Sequence, residues 1–186
     1  MKTFYLMFLL LPITVQAQDE FEPVTKSQFT ADLGFSGLQL GAELKTAKTH
    51  TIQFRTGLMP MLYYDIYDMK GIQLANSISA SVEYRIYYNF LKRLEKDKDI
   101  RNNGANYFGF LFMYISEPVT GEPSQQVLWP SLMTGPVWGF NRPLGERFNF
   151  NFTLGPVLQK FRNSGYYENQ NDITLYLDLR WSYIFR

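Results

Sequence analysis

The chain has 186 residues, a net charge of +1, one histidine and no cysteine. Without cysteine there is no disulfide framework and no lipid-modified N-terminal cysteine, and scattered charges of both signs leave no basic field for nucleic acid. Aromatic residues make up 17% of the chain, yet the mean hydropathy is slightly negative, as expected when one face is apolar and the other polar.

At the start, Lys2 precedes an apolar core from Phe4 to Ile13, and Val15-Gln16-Ala17 places small residues at the third and first positions before a cut after Ala17. This pattern predicts a secretory signal peptide over 1–17 and one domain over 18–186. The apolar core is shorter than the ~20 residues a spanning helix needs.

The rest of the chain is governed by a period of two. Phe29, Ala31 and Leu33 alternate with Gln28, Thr30 and Asp32; Leu38, Leu40, Ala42 and Leu44 alternate with Gln39, Gly41 and Glu43. The pattern continues through Ile52 and Phe54, through a long row from Ile72 to Phe90, and through Phe108, Phe110, Phe112 and Tyr114. Leu132, Trp138 and Phe140 follow, then Phe148, Phe150 and Phe152. It is clearest at Ile173, Leu175, Leu177, Leu179, Trp181, Tyr183 and Phe185, with Thr174, Tyr176, Asp178, Arg180 and Ser182 between them. Such alternation puts one row on each face of a β-strand. Strands are predicted at about 26–34, 38–45, 49–64, 72–90, 106–116, 127–140, 147–161 and 172–185.

The count depends on Gly34-Phe35-Ser36-Gly37, which reads either as a hairpin turn or as a glycine bulge in one long strand. A single-chain bacterial barrel has an even number of strands, which favours the turn. The fold class expected is therefore all-β: an eight-stranded antiparallel up-and-down transmembrane β-barrel. With both termini in the periplasm, the charged stretch from Leu91 to Ala105 is an unusually long periplasmic turn, either solvated or a docking element. Pro60, Pro136 and Pro156 fall inside strands and mark bulges or missing ladder bonds.

Small and polar residues, among them Gly41, Gly57, Ser77, Ser79, Ser81, Gly109 and Gly155, share one face, and bulky aromatics hold the other. An eight-stranded interior is only wide enough to be filled by side chains, so the small and polar face is expected inside. It carries Glu43, Arg55, Glu83, Arg85, Asp178 and Arg180, expected as a mixed-sign network that fills the barrel. A gated ion path is the alternative, although permanently charged arginines make a poor proton relay. Tyr84, Tyr88, Phe90, Trp138, Phe140, Trp181, Tyr183 and Phe185 are expected as an aromatic girdle at the periplasmic ends of the strands, with Tyr64, Tyr67, Tyr114 and Trp129 near the outer ends.

No site chemistry stands out. His50 is beside an expected periplasmic turn, so no histidine and serine pair forms on the outer face. No cofactor or metal is expected, and the loop from Asn163 to Asp172 lacks the spacing of a calcium loop. Its Tyr166 and Tyr167 suit a partner-binding tip. Together, the Tyr84-Arg85-Ile86-Tyr87-Tyr88-Asn89 strand end, the Asn106-Tyr107 restart, the Gly135-Pro136-Val137-Trp138-Gly139-Phe140-Asn141-Arg142 segment and the aromatic C-terminus resemble the small outer-membrane β-barrel domain proteins of Gram-negative bacteria. The chain departs from their terminal aromatic in ending Phe185-Arg186. The resemblance implies a barrel in the cell outer membrane. A monomer without catalysis is expected, with outer-membrane lipid and the barrel-assembly machinery as partners. The role expected is structural or interactive, through the outer loops. Alternatives are a porin-like transporter of small or apolar solutes, a secreted lipocalin-like carrier and an enzyme acting on envelope lipid.

Overall fold

The computed structural model describes residues 23–65, 71–120, 130–161 and 171–185, without the side chains of 62–65 and 73. The expected signal peptide, Tyr67, Trp129, Tyr166 and Tyr167 lie outside the described residues, as does the side chain of Tyr64. Eight antiparallel strands run in chain order around a closed barrel: β1 (Ser27–Gly34), β2 (Gly37–Ala47), β3 (His50–Asp65), β4 (Gly71–Tyr87), β5 (Asn106–Thr120), β6 (Ser131–Pro143), β7 (Phe148–Phe161) and β8 (Asn171–Phe185). Closure comes from β8 pairing back onto β1, from Phe29 opposite Phe185 to Gly34 opposite Arg180.

The segment from Lys26 to Leu44 is two strands. Gly34 and Gly37 are directly opposite, Phe35 and Ser36 form the turn, and Gly37 has φ of +84°. A Cβ on Gly37 would lie 2.0 Å from the Leu58 carbonyl oxygen, so both the conformation and the space demand glycine.

The prolines each have a local explanation. Pro136 and Pro156 fall opposite each other where the β6–β7 ladder is interrupted between Thr134–Leu158 and Trp138–Leu154. Neither has an N–H to donate, so the interruption leaves no donor orphaned there. Pro60 is on β3 beyond Leu58, where β2 pairing has ended and β4 is the remaining neighbour.

Strand bounds shift at the other end of the barrel. β4 stops at Tyr87, not at residue 90, and a short helix α1 (Phe90–Leu94) and a 3-10 turn (Arg101–Asn103) follow. Asn89 causes the departure: its side-chain oxygen accepts the Asn106 N–H at 2.7 Å and its carbonyl accepts the Arg93 N–H at 3.0 Å. The chain therefore coils under the barrel instead of extending it. Phe90, expected in the aromatic girdle at the periplasmic strand ends, is instead buried with Val24, Tyr87, Ala105 and Tyr107, because the alternation ends two residues earlier. The Asn102 carbonyl is fastened by Asn141 Nδ2 at 2.7 Å and Asn149 Nδ2 at 3.0 Å, and Asn103 Oδ1 accepts the Thr25 N–H at 2.9 Å. The charged connection is thus a folded floor and not simply a solvated turn.

We call this the helical end. At the opposite, far end are the β1–β2 turn and the ends of β3, β5 and β7.

Candidate functional site

Inward side chains come from every second residue of each strand. β2 contributes Glu43, β3 Arg55, β4 Glu83 and Arg85, and β8 Asp178 and Arg180, all at most 4% exposed. All six join one chain of alternating sign. Arg85 Nη1 is 3.7 Å from Glu43, and its Nε donates to Glu83 at 3.0 Å. Glu83 also receives Arg55 at 3.4 Å, while the other arm of Arg55 reaches Asp178 at 3.2 Å. Arg180 ends the chain on Asp178.

Neutral donors reach two of the carboxylates. Thr51 Oγ1 and Tyr87 Oη each donate to Glu43 Oε1 at 2.7 Å, and Ser36 Oγ donates to Asp178 Oδ1 at 2.7 Å. The Arg85 guanidinium also stacks over Tyr107, 4.4 Å from the ring centroid. Buried charges persist only when paired and hydrogen bonded; each of the six members has an ion-pair partner and at least one hydrogen bond, while Arg55 Nε, Arg85 Nη1 and Arg180 Nε and Nη2 have no hydrogen-bond partner.

A seventh charged residue belongs to the interior and is absent from the expected set. Asp32 is 1% exposed, and neither of its carboxylate oxygens has a hydrogen-bond partner. It stands in the polar row of β1, opposite Gln39 and Ser182, so the same alternation that selects Glu43 points to it. With Asp32 included, four buried carboxylates (Asp32, Glu43, Glu83, Asp178) face three buried guanidiniums (Arg55, Arg85, Arg180) among the described residues.

Nor is the interior polar throughout. Toward the far end, Leu111, Met113, Ile115, Val137, Val157 and Tyr176 form a buried apolar cluster, with Met59, Met61 and Met133 packed against it. This departs from the expectation of a wholly polar filling. On β5 both rows are largely apolar, with Gly109 in the inward one. Phe108, Phe110, Phe112 and Tyr114 are the exposed row, and Tyr107, Leu111, Met113 and Ile115 the buried one. A cavity of about 140 Å³ lies within this upper storey, bounded by Met59, Met113, Met133, Tyr176 and the β1–β2 turn.

The outer surface carries the aromatic set. Tyr84, Tyr88, Trp181 and Phe185 are exposed, and Trp138, Phe140 and Tyr183 half-exposed; Phe90 alone turns inward. Trp138 Nε1 donates to the Tyr88 hydroxyl at 2.9 Å, and Phe140 stacks on Phe152 with centroids 5.2 Å apart. Tyr183 packs edge-on against both Phe148 and Phe185. Together they make several groups of ring contacts that form a band near the helical end. His50 belongs to the same band, its Nδ1 sharing a hydrogen bond with the Tyr84 hydroxyl at 2.6 Å. Tyr114, toward the far end, is also exposed.

No family model matches the chain, and no curated protein or solved structure matches it.

Proposed function

We propose that the chain is an outer-membrane β-barrel of a Gram-negative bacterium, exported by its N-terminal signal peptide, closed to solutes and without catalysis. The observation that carries this reading is the inversion of its two faces. Seven charged residues are buried, while Leu33, Leu38, Leu40, Ile72, Leu74, Phe108, Ile173 and Leu175 are each more than half exposed on the outside. Water penalises so large a contiguous apolar surface, whereas a bilayer takes apolar side chains outside and a closed, edge-free ladder inside. A soluble carrier would place its oily face inward around the ligand, so the same rows speak against a lipocalin-like protein.

Two features support a closed barrel over a porin. The ion-pair chain crosses the interior through residues no more than 4% exposed, and the 88–105 segment lies beneath it as a floor. The role is then structural or interactive, carried by the far-end loops on the cell surface, as in the small outer-membrane barrel proteins the sequence resembles. In this reading the aromatic band near the helical end sits at the periplasmic interface.

Membrane flotation combined with single-channel recording tests both parts. The full-length protein is expected to float with outer-membrane vesicles, to migrate differently in detergent gels before and after boiling, and to give no conductance in planar bilayers. Recovery in the detergent-free periplasmic fraction would overturn the membrane assignment. Robust conductance would overturn the closed barrel.

A further inference from the structure

The barrel wall is incomplete at its far end. Beyond Leu58, β3 is bonded to β4 but no longer to β2, and before Leu179, β8 is bonded to β7 but no longer to β1. The β1–β2 hairpin is too short to reach between them, and its turn seals the base of the opening through the Phe35 N–H on the Leu179 carbonyl at 3.0 Å. Along β8 the opening runs from Asn171 to Leu177, about 20 Å of strand edge at the usual rise per residue.

Three observations give this notch a purpose. Pro60, which needs no ladder partner, sits on the β3 side, and its ring packs against the turn, where a Cβ on Gly37 would touch it at 2.6 Å; this keeps the edge from extending. Ile173, Leu175 and Leu177 on the other side remain on the exposed apolar row, so the opening falls within the height of the apolar belt. Phe35, Leu175 and Leu177 line the mouth of the 140 Å³ cavity whose inner wall is Met59, Met113 and Met133. The cavity thus opens sideways through the wall.

The geometry points to a binding site for a small, neutral aromatic molecule carrying one hydrogen-bond acceptor, entering laterally from the membrane. Size comes first: an apolar cavity of about 150 Å³ holds a benzene ring. Thioethers make favourable contacts with ring edges and adapt to irregular shapes. The acceptor requirement comes from Tyr176, which lines the cavity, is 8% exposed and has a hydroxyl that makes no close hydrogen bond. Ser36 is alongside and gives its own proton to Asp178, so its oxygen is the competing acceptor that the ligand must displace from the Tyr176 hydroxyl. Below Tyr176 the ion-pair chain blocks the way, so the site is a dead end for capture and not a passage. The inference rests on the membrane reading, because a sideways opening is an entrance only where hydrocarbon lies against the wall.

The test is a fluorine NMR titration of the full-length protein folded in dodecyl maltoside micelles, with 4-fluorobenzaldehyde and fluorobenzene as probes and protein-free micelles as reference. Both probes are expected to show a saturable, protein-dependent shift. Met113→Trp, which fills the cavity, is expected to weaken both at least tenfold. Should that variant fail to fold, as judged by gel mobility, Met59→Phe fills the cavity from another strand. Tyr176→Phe is expected to weaken the aldehyde roughly three- to tenfold, the worth of one neutral hydrogen bond, and to leave fluorobenzene unchanged. Shifts equal to those in empty micelles, wild-type binding by a filled variant, or equal effects of Tyr176→Phe on the two probes would each overturn the site. Binding that persists in a protein recovered without detergent would overturn the membrane reading and leave the pocket standing.

Discussion

Removing one charge from the interior chain should damage the barrel far more than removing a pair. Glu83 is fully buried and accepts Arg85 Nε at 3.0 Å, Arg85 Nη2 at 3.1 Å and Arg55 Nη2 at 3.4 Å. In Glu83→Leu, Arg85 keeps only the 3.7 Å approach to Glu43, and Arg55 keeps Asp178. Breaking such a buried pair costs about 3–5 kcal/mol, because a charge is left uncompensated. Arg85→Leu should cost a similar amount and also loses the stacking on Tyr107. The double variant leaves Glu43 with Thr51 and Tyr87, and Arg55 with Asp178. Its carboxylates and guanidiniums each fall by one, so the interior imbalance is unchanged. Its cost should be about 0–2 kcal/mol, giving a coupling of at least ~4 kcal/mol. Urea unfolding of the micelle-folded protein, followed by tryptophan fluorescence, measures this: with m near ~2 kcal/mol/M, each single variant moves the midpoint by roughly 1.5–2.5 M. Additive costs in the double variant would refute the claim that these two charges act as a pair.

Gly37→Ala should cost more than ~2 kcal/mol, since a positive-φ penalty adds to the clash with the Leu58 carbonyl. Gly145→Ala, at φ of +95° with nothing within 4 Å of a Cβ, should show only the ~1–2 kcal/mol conformational penalty; equal urea midpoints would contradict the steric account. Phe90→Ala should cost about 3–5 kcal/mol as a buried aromatic, and a loss under ~1 kcal/mol would return Phe90 to the outer face. The Arg101 guanidinium, hydrogen bonded to Asp99, holds that carboxyl below its ordinary range. A lowered carboxyl stabilises the fold above its unfolded value of ~3.9 and loses that contribution as pH falls through the folded value. Asp99→Asn should therefore be slightly less stable than the parent at pH 7 and equal to it in strong acid. The pair is largely exposed, so the pH 7 gap in thermal midpoint should be small; a gap that grows in acid would reverse the sign.

Much of this architecture is legible from alternation alone, because a closed barrel makes inside and outside strictly consecutive along each strand. The rows of β2, β3, β4, β7 and β8 could be assigned to faces from residue type, and that brings Glu43, Arg55, Glu83, Arg85, Asp178 and Arg180 inward. On β5 Gly109 marks the inward row, but its neighbours in that row are apolar, so an expectation of polar filling leaves the methionine-lined upper storey hidden. Asp32 carried the right signal in its row but stood in a short strand without a charged neighbour. Phe90 misled because the two-residue period continues on paper past Asn89, whose hydrogen bonds to Asn106 and Arg93 turn the chain into a helix. The lateral notch depends on unequal hairpin lengths and register, which no single strand encodes.

Seven of the eight seams join strands adjacent in sequence. The β1–β8 seam joins residues as far apart as Phe29 and Phe185, and it does so through only six facing pairs, against sixteen between β3 and β4. Bringing distant segments together costs loop-closure entropy before any contact repays it. Chain order thus sets a folding order in which hairpins zip first and this short seam closes last. It is also the seam whose amides should exchange first with deuterated solvent, so the barrel breathes along the line where it was completed.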